Sequence, residues 1–279
     1  MSLLQALVLG LVQGLTEFLP VSSSAHLVLV PALAGWESPG LAFLTFLHAG
    51  TLLGLIVYFR RDLLWLAGGV FSPGPRRSLL LLMALATVPG ALIGVLFEKQ
   101  FEAQFGRPVS VGFQLAFSGV ILIAADLIAR RKATPGGSSE PAALEGPAGA
   151  DAALAESVTP VTALGVGFAQ AVSIVPGISR SGATIGAAMA AGLTRTQAAR
   201  FSFLVAIPIL TGAVVFELPK LSGGSAGGAA LAVGFIASAV SGYLAVAGLI
   251  GYLQRRGLGA FAAYCIIAGV ASALRLAWS

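Results

Sequence analysis

One charged side chain stands in a stretch of small and apolar residues. Arg180 lies within residues 175–184, which read VPGISRSGAT. A charged side chain at the depth of a bilayer costs about 2.5–3.5 kcal/mol on insertion scales, so such residues usually face a cavity and carry out a function. The alternative interpretation is that the Arg180 side chain snorkels to pair with a lipid headgroup.

The neighbours of Arg180 are suited to binding an anion. Three hydroxyl donors lie close to it in the sequence, namely Ser179, Ser181 and Thr184. Pro176 and Gly177 break the preceding helix, and Ser179 is predicted to cap a new one. A helix N-terminus with free N–H groups, a planar guanidinium with five donors and three hydroxyls together favour the binding of phosphate.

A second group of polar residues occurs early in the chain. Gln13 and Glu17 are four residues apart, which places both on one face of a helix. Pro20 ends that helix. The polar residues that follow are Ser22, Ser23, Ser24 and His26. Either Ser22 or Ser23 is predicted to cap the next helix, and the carboxylate, hydroxyls and imidazole provide a metal ligand, a nucleophile and a general acid or base.

Glu17, His26 and His48 can also be interpreted as residues that take no part in catalysis. Glu17 would then be a buried acid paired with Arg180, and His26 would be a core histidine with satisfied hydrogen bonds. Because His26 stands beside Glu17 and three serines, we favour a chemical role for it. We interpret His48 as structural, since its neighbours in the sequence are almost all apolar.

The composition defines the class of protein. Of the 279 residues, 57% are hydrophobic and 10% are charged, and the mean hydropathy is +0.94. These values indicate a polytopic membrane protein rather than a soluble domain. The net charge of +5 does not indicate nucleic-acid binding, because the basic residues stand at the ends of apolar segments and report topology. The single cysteine, Cys265, excludes an internal disulfide.

Six apolar segments are long enough to cross a membrane, and two others are interrupted by polar residues. The six are residues 41–59, 78–97, 109–129, 201–218, 226–253 and 258–274. The interrupted segments, residues 2–34 and 160–193, are predicted to be re-entrant hairpins, which are tolerated only where they line a cavity. The predicted fold class is an all-α polytopic membrane protein, with about six transmembrane helices plus two re-entrant helical hairpins in one membrane domain over residues 1–279.

The order of these segments repeats, with a hairpin and three spans in residues 1–132 and again in residues 158–279. Residues 10–13, GLVQ, resemble residues 167–170, GFAQ. Three crossings invert the second copy, and an inverted repeat brings two broken-helix elements together near the midplane. Residues 133–157, rich in Pro, Gly, Ser and Ala, are predicted to be a flexible cytoplasmic linker without a part in the chemistry.

Basic residues predict the orientation of the spans. One side of the predicted topology carries Arg60, Arg61, Arg76, Arg77, Arg130, Arg131, Lys132, Arg195, Arg200, Arg255 and Arg256. The other side carries only Lys99, Arg107, Lys220 and Arg275. The first side is expected to be cytoplasmic, which leaves both termini and the entrance of the first hairpin outside.

Both polar groups resemble the signatures of a known family. Residues 13–26, QGLTEFLPVSSSAH, resemble the first signature of the undecaprenyl-diphosphate phosphatases, the bacitracin-resistance membrane proteins. Residues 176–184, PGISRSGAT, resemble the second, and the resemblance extends over essentially the whole chain. The chain departs from the pattern at Gln13, where many members have Glu, and at Ser24–Ala25, where Thr-Gly is common.

This resemblance implies an enzyme that removes the terminal phosphate of undecaprenyl diphosphate and so recycles the lipid carrier of cell-wall synthesis. It implies catalytic roles for Glu17, Ser23, His26 and Arg180, and a Mg²⁺ or Ca²⁺ ion near Gln13 and Glu17. The residues expected to bind the substrate are Ser22, Ser24, Ser179, Arg180, Ser181 and Thr184. It also implies a place in the bacterial inner membrane, with the active site opening to the outer side.

The sequence leaves the nucleophile open. Either Ser23 attacks with His26 as its base, or His26 activates water, or His26 attacks directly. The expected partners are a prenyl diphosphate lipid and membrane lipids but no nucleic acid, and a homodimer is compatible with the sequence. The rival function is a transporter or flippase of an anionic prenyl phosphate lipid, because inverted repeats with broken helices occur there too. Hydrolysis is favoured, since transport alone needs no nucleophile and base.

Overall fold

The computed structural model describes residues 1–132, 146–217 and 227–278, and the secondary structure in these ranges consists of helices joined by turns. The helices are α1 (Leu3–Phe18), α2 (Ser23–Ala34), α3 (Leu41–Tyr58), α4 (Arg60–Ala67), α5 (Pro75–Leu96), α6 (Glu98–Phe105), α7 (Pro108–Lys132), α8 (Gly146–Ser157), α9 (Pro160–Val172), α10 (Arg180–Ala190), α11 (Arg195–Glu217), α12 (Gly228–Leu253) and α13 (Gly259–Ala277). No strand occurs in the described ranges, so the all-α prediction is confirmed.

The lengths of the helices separate spans from hairpins. Five helices, α5, α7, α11, α12 and α13, are each long and apolar enough to cross a membrane. α3 passes the same test together with the segment that follows it, from which it is bent by 73°. The pairs α1–α2 and α9–α10 consist of shorter helices that end at the predicted breaks, before Pro20 and before Pro176. The structure is therefore that of a polytopic membrane protein.

Each hairpin packs against a long helix from the other half of the chain. α12 packs along α1 and α3, and α5 packs along α9 and α11. α7 and α13 pack along each other. Glycines permit this close approach, since a Cβ added to Gly10 would lie 2.5 Å from the Gly234 carbonyl oxygen, and one on Gly14 would collide with Ser241. Such close approach at glycines spaced four residues apart is typical of packed membrane helices.

The linker prediction is wrong for part of its length. Residues 146–157 form α8, which packs against α4 and α5. The side chains of Asp151 and Leu154 are completely buried, and Ala155 and Val158 extend the apolar face. Burial of this face removes apolar surface from water and so orders a segment whose composition suggests flexibility. The other residues of the predicted linker, 133–145, lie outside the described ranges.

A buried ion cluster ties α8 to two other helices. Arg200 on α11 donates hydrogen bonds to Asp62 on α4 and, over 2.7 Å, to Asp151 on α8. The two carboxylate side chains are only 6% and 0% exposed. The Arg200 guanidinium also lies 5.5 Å from the centre of the Phe59 ring. Two buried carboxylates therefore depend on one guanidinium for their neutralisation.

Replacing Arg200 with methionine is expected to lower the free energy of unfolding by about 3–5 kcal/mol, because it leaves buried carboxylates without a cation. Unfolding of the purified protein in detergent measures this effect. Arg255→Met is the control, since Arg255 is exposed after α12 and should change stability by less than about 0.5 kcal/mol. Equal stability of the two variants would show that the cluster does not hold α8 in place.

Candidate active site

The two polar groups of the sequence meet at the carboxylate of Glu17. Arg180 Nη2 donates to Glu17 Oε1 over 2.7 Å. Ser23 Oγ donates to Glu17 Oε2 over 2.6 Å, and Gln13 Nε2 donates to the same oxygen over 3.0 Å. The Glu17 side chain is 4% exposed and that of Arg180 is 17% exposed. Side chains from both hairpins, 163 positions apart, therefore form one site.

The N-termini of α2 and α10 direct these groups towards each other. α2 begins at Ser23, and Ser22 caps it by accepting a hydrogen bond from the Ala25 N–H over 3.3 Å. Ser22 has a φ of +65°, a conformation that is strained for a residue with a Cβ and that occurs at functional sites. α10 begins at Arg180 and is capped by Ser179. Both capping predictions are confirmed.

The serines on either side of Arg180 hold the second break in place. Ser179 Oγ accepts a hydrogen bond from the Gly182 N–H over 3.1 Å, as expected of a helix cap. Ser181 Oγ donates to the Leu19 carbonyl over 3.0 Å and so joins α10 to the break after α1. Both hydroxyls lie at the meeting point of the hairpins, but each is engaged by protein groups.

Thr184 lies deeper in the helix packing than the sequence suggested. Its hydroxyl donates to the Arg180 carbonyl over 2.7 Å and contacts Ser202 Oγ on α11. The residue is 2% exposed. Its predicted contact with the substrate therefore stays a prediction, and its visible role is to join α10 to α11.

Ser22 and Ser24 lie between the hairpins. The Gly177 N–H donates to Ser24 Oγ over 3.3 Å, and the hydroxyls of Ser22 and Ser24 are 3.2 Å apart. Gly177 has a φ of +107°, and a Cβ there would collide with Gln114 on α7. This position requires glycine for both reasons, and the turn it forms brings a backbone donor to the first hairpin.

His26 lies apart from the Glu17 carboxylate. Its Nδ1 is 2.7 Å from the Ser22 carbonyl oxygen, and its Nε2 is 2.7 Å from the Tyr264 hydroxyl on α13. Within the described residues, the hydroxyl of Ser23 donates to Glu17 and not to His26. The group in contact with the Ser23 hydroxyl is therefore the Glu17 carboxylate and not the His26 imidazole. Sequence reasoning did not single out Tyr264, which is one tyrosine in an apolar span.

His48 contacts Glu17, a contact that its neighbours in the sequence did not indicate, and its structural role stays a prediction. Its Nε2 lies 3.5 Å from Glu17 Oε2, and its Nδ1 lies 2.8 Å from the Leu44 carbonyl oxygen. The apolar neighbours of His48 in the sequence concealed this contact, because they come from its own helix. The available signal was that an ionisable residue inside a membrane span is a functional candidate by default.

The contacts of Gln13 and Glu17 fit the predicted cation. Gln13 Oε1 is buried without a hydrogen-bond partner. Glu17 Oε1 accepts a hydrogen bond from Arg180, and a carboxylate oxygen has a second acceptor position. The described residues contain no group of three or more His, Cys, Asp or Glu that could hold a metal ion. These oxygens are of the type that binds Mg²⁺ or Ca²⁺, and the cation stays a prediction.

Fold and site together define a polytopic membrane protein in which two broken-helix hairpins place a hydroxyl, a carboxylate and a guanidinium in contact. A family model described as bacitracin resistance protein BacA matches residues 6–271. The chain belongs to this family, and the resemblance of its two signatures is confirmed.

Named relatives cover nearly the whole chain. An undecaprenyl-diphosphatase of Pelobacter propionicus is 43% identical in an alignment 280 positions long, which covers 96% of this chain and 95% of the relative. An undecaprenyl-diphosphatase of Rubrobacter xylanophilus is 43% identical, and the alignment covers 95% of this chain and 94% of the relative. A third, from Pelotomaculum thermopropionicum, is 39% identical, and the alignment covers 97% of this chain and 96% of the relative.

Proposed function

We propose that this protein hydrolyses undecaprenyl diphosphate to undecaprenyl phosphate and inorganic phosphate, and so recycles a lipid carrier of cell-wall synthesis in the bacterial inner membrane. The relatives named undecaprenyl-diphosphatase support this reaction. The observation that carries the proposal is that Ser23 and Arg180 share the Glu17 carboxylate. A nucleophile and a cation that both contact one base suit phosphoryl transfer, whereas transport needs no such arrangement.

Arg180 supplies fixed positive charge for the diphosphate. Its Nη2 is engaged by Glu17, which leaves other donors of the guanidinium for phosphate oxygens. Arg180 is also the first residue of α10, so the positive end of the helix dipole lies at the same place. Most of the catalysis of phosphoryl transfer comes from such positioning and charge stabilisation.

Ser23 is the nucleophile that the geometry favours. Its Oγ attacks the terminal phosphorus while its proton passes to Glu17 Oε2, 2.6 Å away. The bond from that phosphorus to the bridging oxygen breaks, and undecaprenyl phosphate leaves with the bridging oxygen. Water then attacks the phosphoserine, and Glu17 returns the proton to Ser23 Oγ. His26, three positions after Ser23 on the first turn of α2, accepts the proton of the attacking water.

A bound Mg²⁺ or Ca²⁺ ion would be held by Gln13 and Glu17, and it supplies positive charge that neutralises diphosphate oxygens. Removing the metal with a chelator is therefore expected to abolish phosphate release, and adding Mg²⁺ or Ca²⁺ should restore it. Gln13→Ala should raise the metal concentration that gives half-maximal rate. Full activity in chelator would leave Glu17 with the roles of base and partner of Arg180 only.

The surroundings of the first hairpin agree with the side that the topology predicts for its open end. A mostly apolar cavity of about 200 Å³ lies between the end of α2, the start of α3 and the turn between α6 and α7. Its lining includes Leu27, Trp36, Leu44, Phe105 and Pro108. The open end of the first hairpin and the turn after α6 therefore lie on one side. In the topology predicted from the basic residues, that side is opposite to Arg60 and Arg61.

Cysteine labelling in intact cells tests this orientation. In a Cys265→Ala background, Glu37→Cys should react with an impermeant thiol reagent added outside, because Glu37 follows the open end of α2. Ser138→Cys, in the predicted cytoplasmic linker, should be protected until the membrane is permeabilised. The reverse pattern would overturn the outward opening.

The reaction itself is tested with the purified protein and undecaprenyl diphosphate in detergent. An enzyme releases inorganic phosphate continuously, and the Ser23→Ala variant should release none above background. A transporter or flippase of prenyl phosphate lipids would bind the lipid without releasing phosphate. That result would replace the proposed function with the rival one.

A further inference from the structure

We propose that Tyr264 is a positioning residue that holds His26 in one tautomer and one orientation. Tyr264 lies on α13, in the second half of the chain, 238 positions from His26. The proposal rests on the proposed function, in which His26 exchanges a proton with water during turnover. It adds a residue that lies in neither of the two signatures.

The hydrogen bonds of His26 define its tautomer. A backbone carbonyl oxygen can only accept, so the 2.7 Å contact between Nδ1 and the Ser22 carbonyl places the proton of the neutral ring on Nδ1. Nε2 then carries the lone pair, and the Tyr264 hydroxyl, 2.7 Å away, donates to it. The carbonyl partner of Nδ1 thus determines that Nδ1 carries the proton and Nε2 the lone pair. The tautomer of a histidine is commonly set by a hydrogen bond of this kind.

The ring of Tyr264 also fixes the orientation of the imidazole. The two rings are within 6° of parallel, with their centres 5.7 Å apart. The next residue, Cys265, lies with its Sγ 3.6 Å from the Pro20 carbonyl oxygen at the break of the first hairpin. α13 therefore contacts the hairpin on both sides of Ser23, at Pro20 and at His26. A helix held at two points can set the direction of the imidazole closely.

A consequence follows for proton transfer. Because Nδ1 is bound to a carbonyl, Nε2 is the nitrogen at which neutral His26 gains a proton. The Tyr264 hydroxyl orients this lone pair at rest and turns away from it when water delivers its proton. Without the hydroxyl, one hydrogen bond would hold the ring, and the imidazole could turn about its side-chain bonds. Tyr264→Phe keeps the aromatic ring and removes this hydrogen bond alone.

Kinetics of phosphate release test the proposal. Tyr264→Phe is expected to lower kcat by about 10- to 100-fold, at the lower end of what acid–base groups contribute, with little change in KM. In a His26→Ala background the same substitution should have no further effect. Tyr252→Phe is the matched control, because Tyr252 packs its ring on Phe261 and should leave kcat unchanged. An unchanged kcat for Tyr264→Phe, or a loss that persists in full without His26, would overturn the proposal.

Nitrogen NMR of labelled histidine gives a readout that does not depend on activity. The chain has two histidines, so a His48→Gln variant shows His26 alone. We expect a protonated Nδ1 and an unprotonated Nε2 whose resonance shifts in Tyr264→Phe. A protonated Nε2 with a bare Nδ1, or a spectrum that Tyr264→Phe leaves unchanged, would contradict the assignment. If the unaltered protein released no phosphate but gave the expected spectrum, the proposed function would fail while the structural pairing stood.

Discussion

Arg180→Lys is expected to lower kcat for phosphate release by at least about 100-fold, comparable to the loss of one strong transition-state donor. Lysine keeps the charge but presents its donors from a single nitrogen. It therefore does not reproduce the planar fork that contacts the Glu17 carboxylate through one nitrogen and leaves another for phosphate oxygens. The effect should appear mainly in kcat, because charge develops on the phosphoryl oxygens in the transition state. Steady-state kinetics with undecaprenyl diphosphate measure it.

The matched control is Arg255→Lys, which makes the same change at an exposed position after α12. It should leave both kcat and KM unchanged. Near-normal phosphate release by Arg180→Lys would remove Arg180 from the role of diphosphate clamp. Its contact with Glu17 would then be a structural ion pair, the alternative that the sequence also allowed.

Glu17→Gln is expected to reduce kcat by about 100- to 10,000-fold, the range that a positioned base contributes. The amide fills the same volume but cannot take the proton of Ser23, and it leaves Arg180 without a carboxylate. Removal of one partner from a buried pair also destabilises a protein by about 3–5 kcal/mol, so the unfolding transition must be measured beside the rate.

Glu156→Gln, on the exposed side of α8, is the control for loss of a carboxylate and should be fully active. A Glu17→Gln protein that is folded and retains more than about a tenth of the rate would exclude Glu17 as the base, since a base contributes at least about 100-fold. The proton of Ser23 would then have to pass to another group. His48, 3.5 Å from the same carboxylate oxygen, is the first to test by substitution.

Much of the fold was predictable because its signals are local. A membrane span needs a run of apolar residues of a given length, and proline followed by a serine ends one helix and caps the next. These rules placed the breaks before Ser23 and Arg180 correctly. They failed at α8, because its order comes from burial of Leu154 against other helices and from the ion pair of Asp151 with Arg200.

The sequence predicted which residues form the candidate site better than it predicted the contacts between them. Gln13 and Glu17 lie one helical turn apart, so their hydrogen bond follows from the period of the helix. Arg180 was expected beside them because an inverted repeat brings the hairpins together. Which hydroxyl would meet the carboxylate was not predictable, since Ser22, Ser23 and Ser24 differ by a rotation about the start of α2.

The sequence by itself determined the class of protein, the two hairpins and the residue types of the site, because each depends on neighbours within a few positions. Only the tertiary structure decided that His48 faces Glu17, that Thr184 packs on Ser202 and that His26 pairs with Tyr264. The helical period predicts which face of a helix a residue occupies. The partner of that face depends on close packing between helices that are distant in the chain, here wherever glycines let two backbones approach.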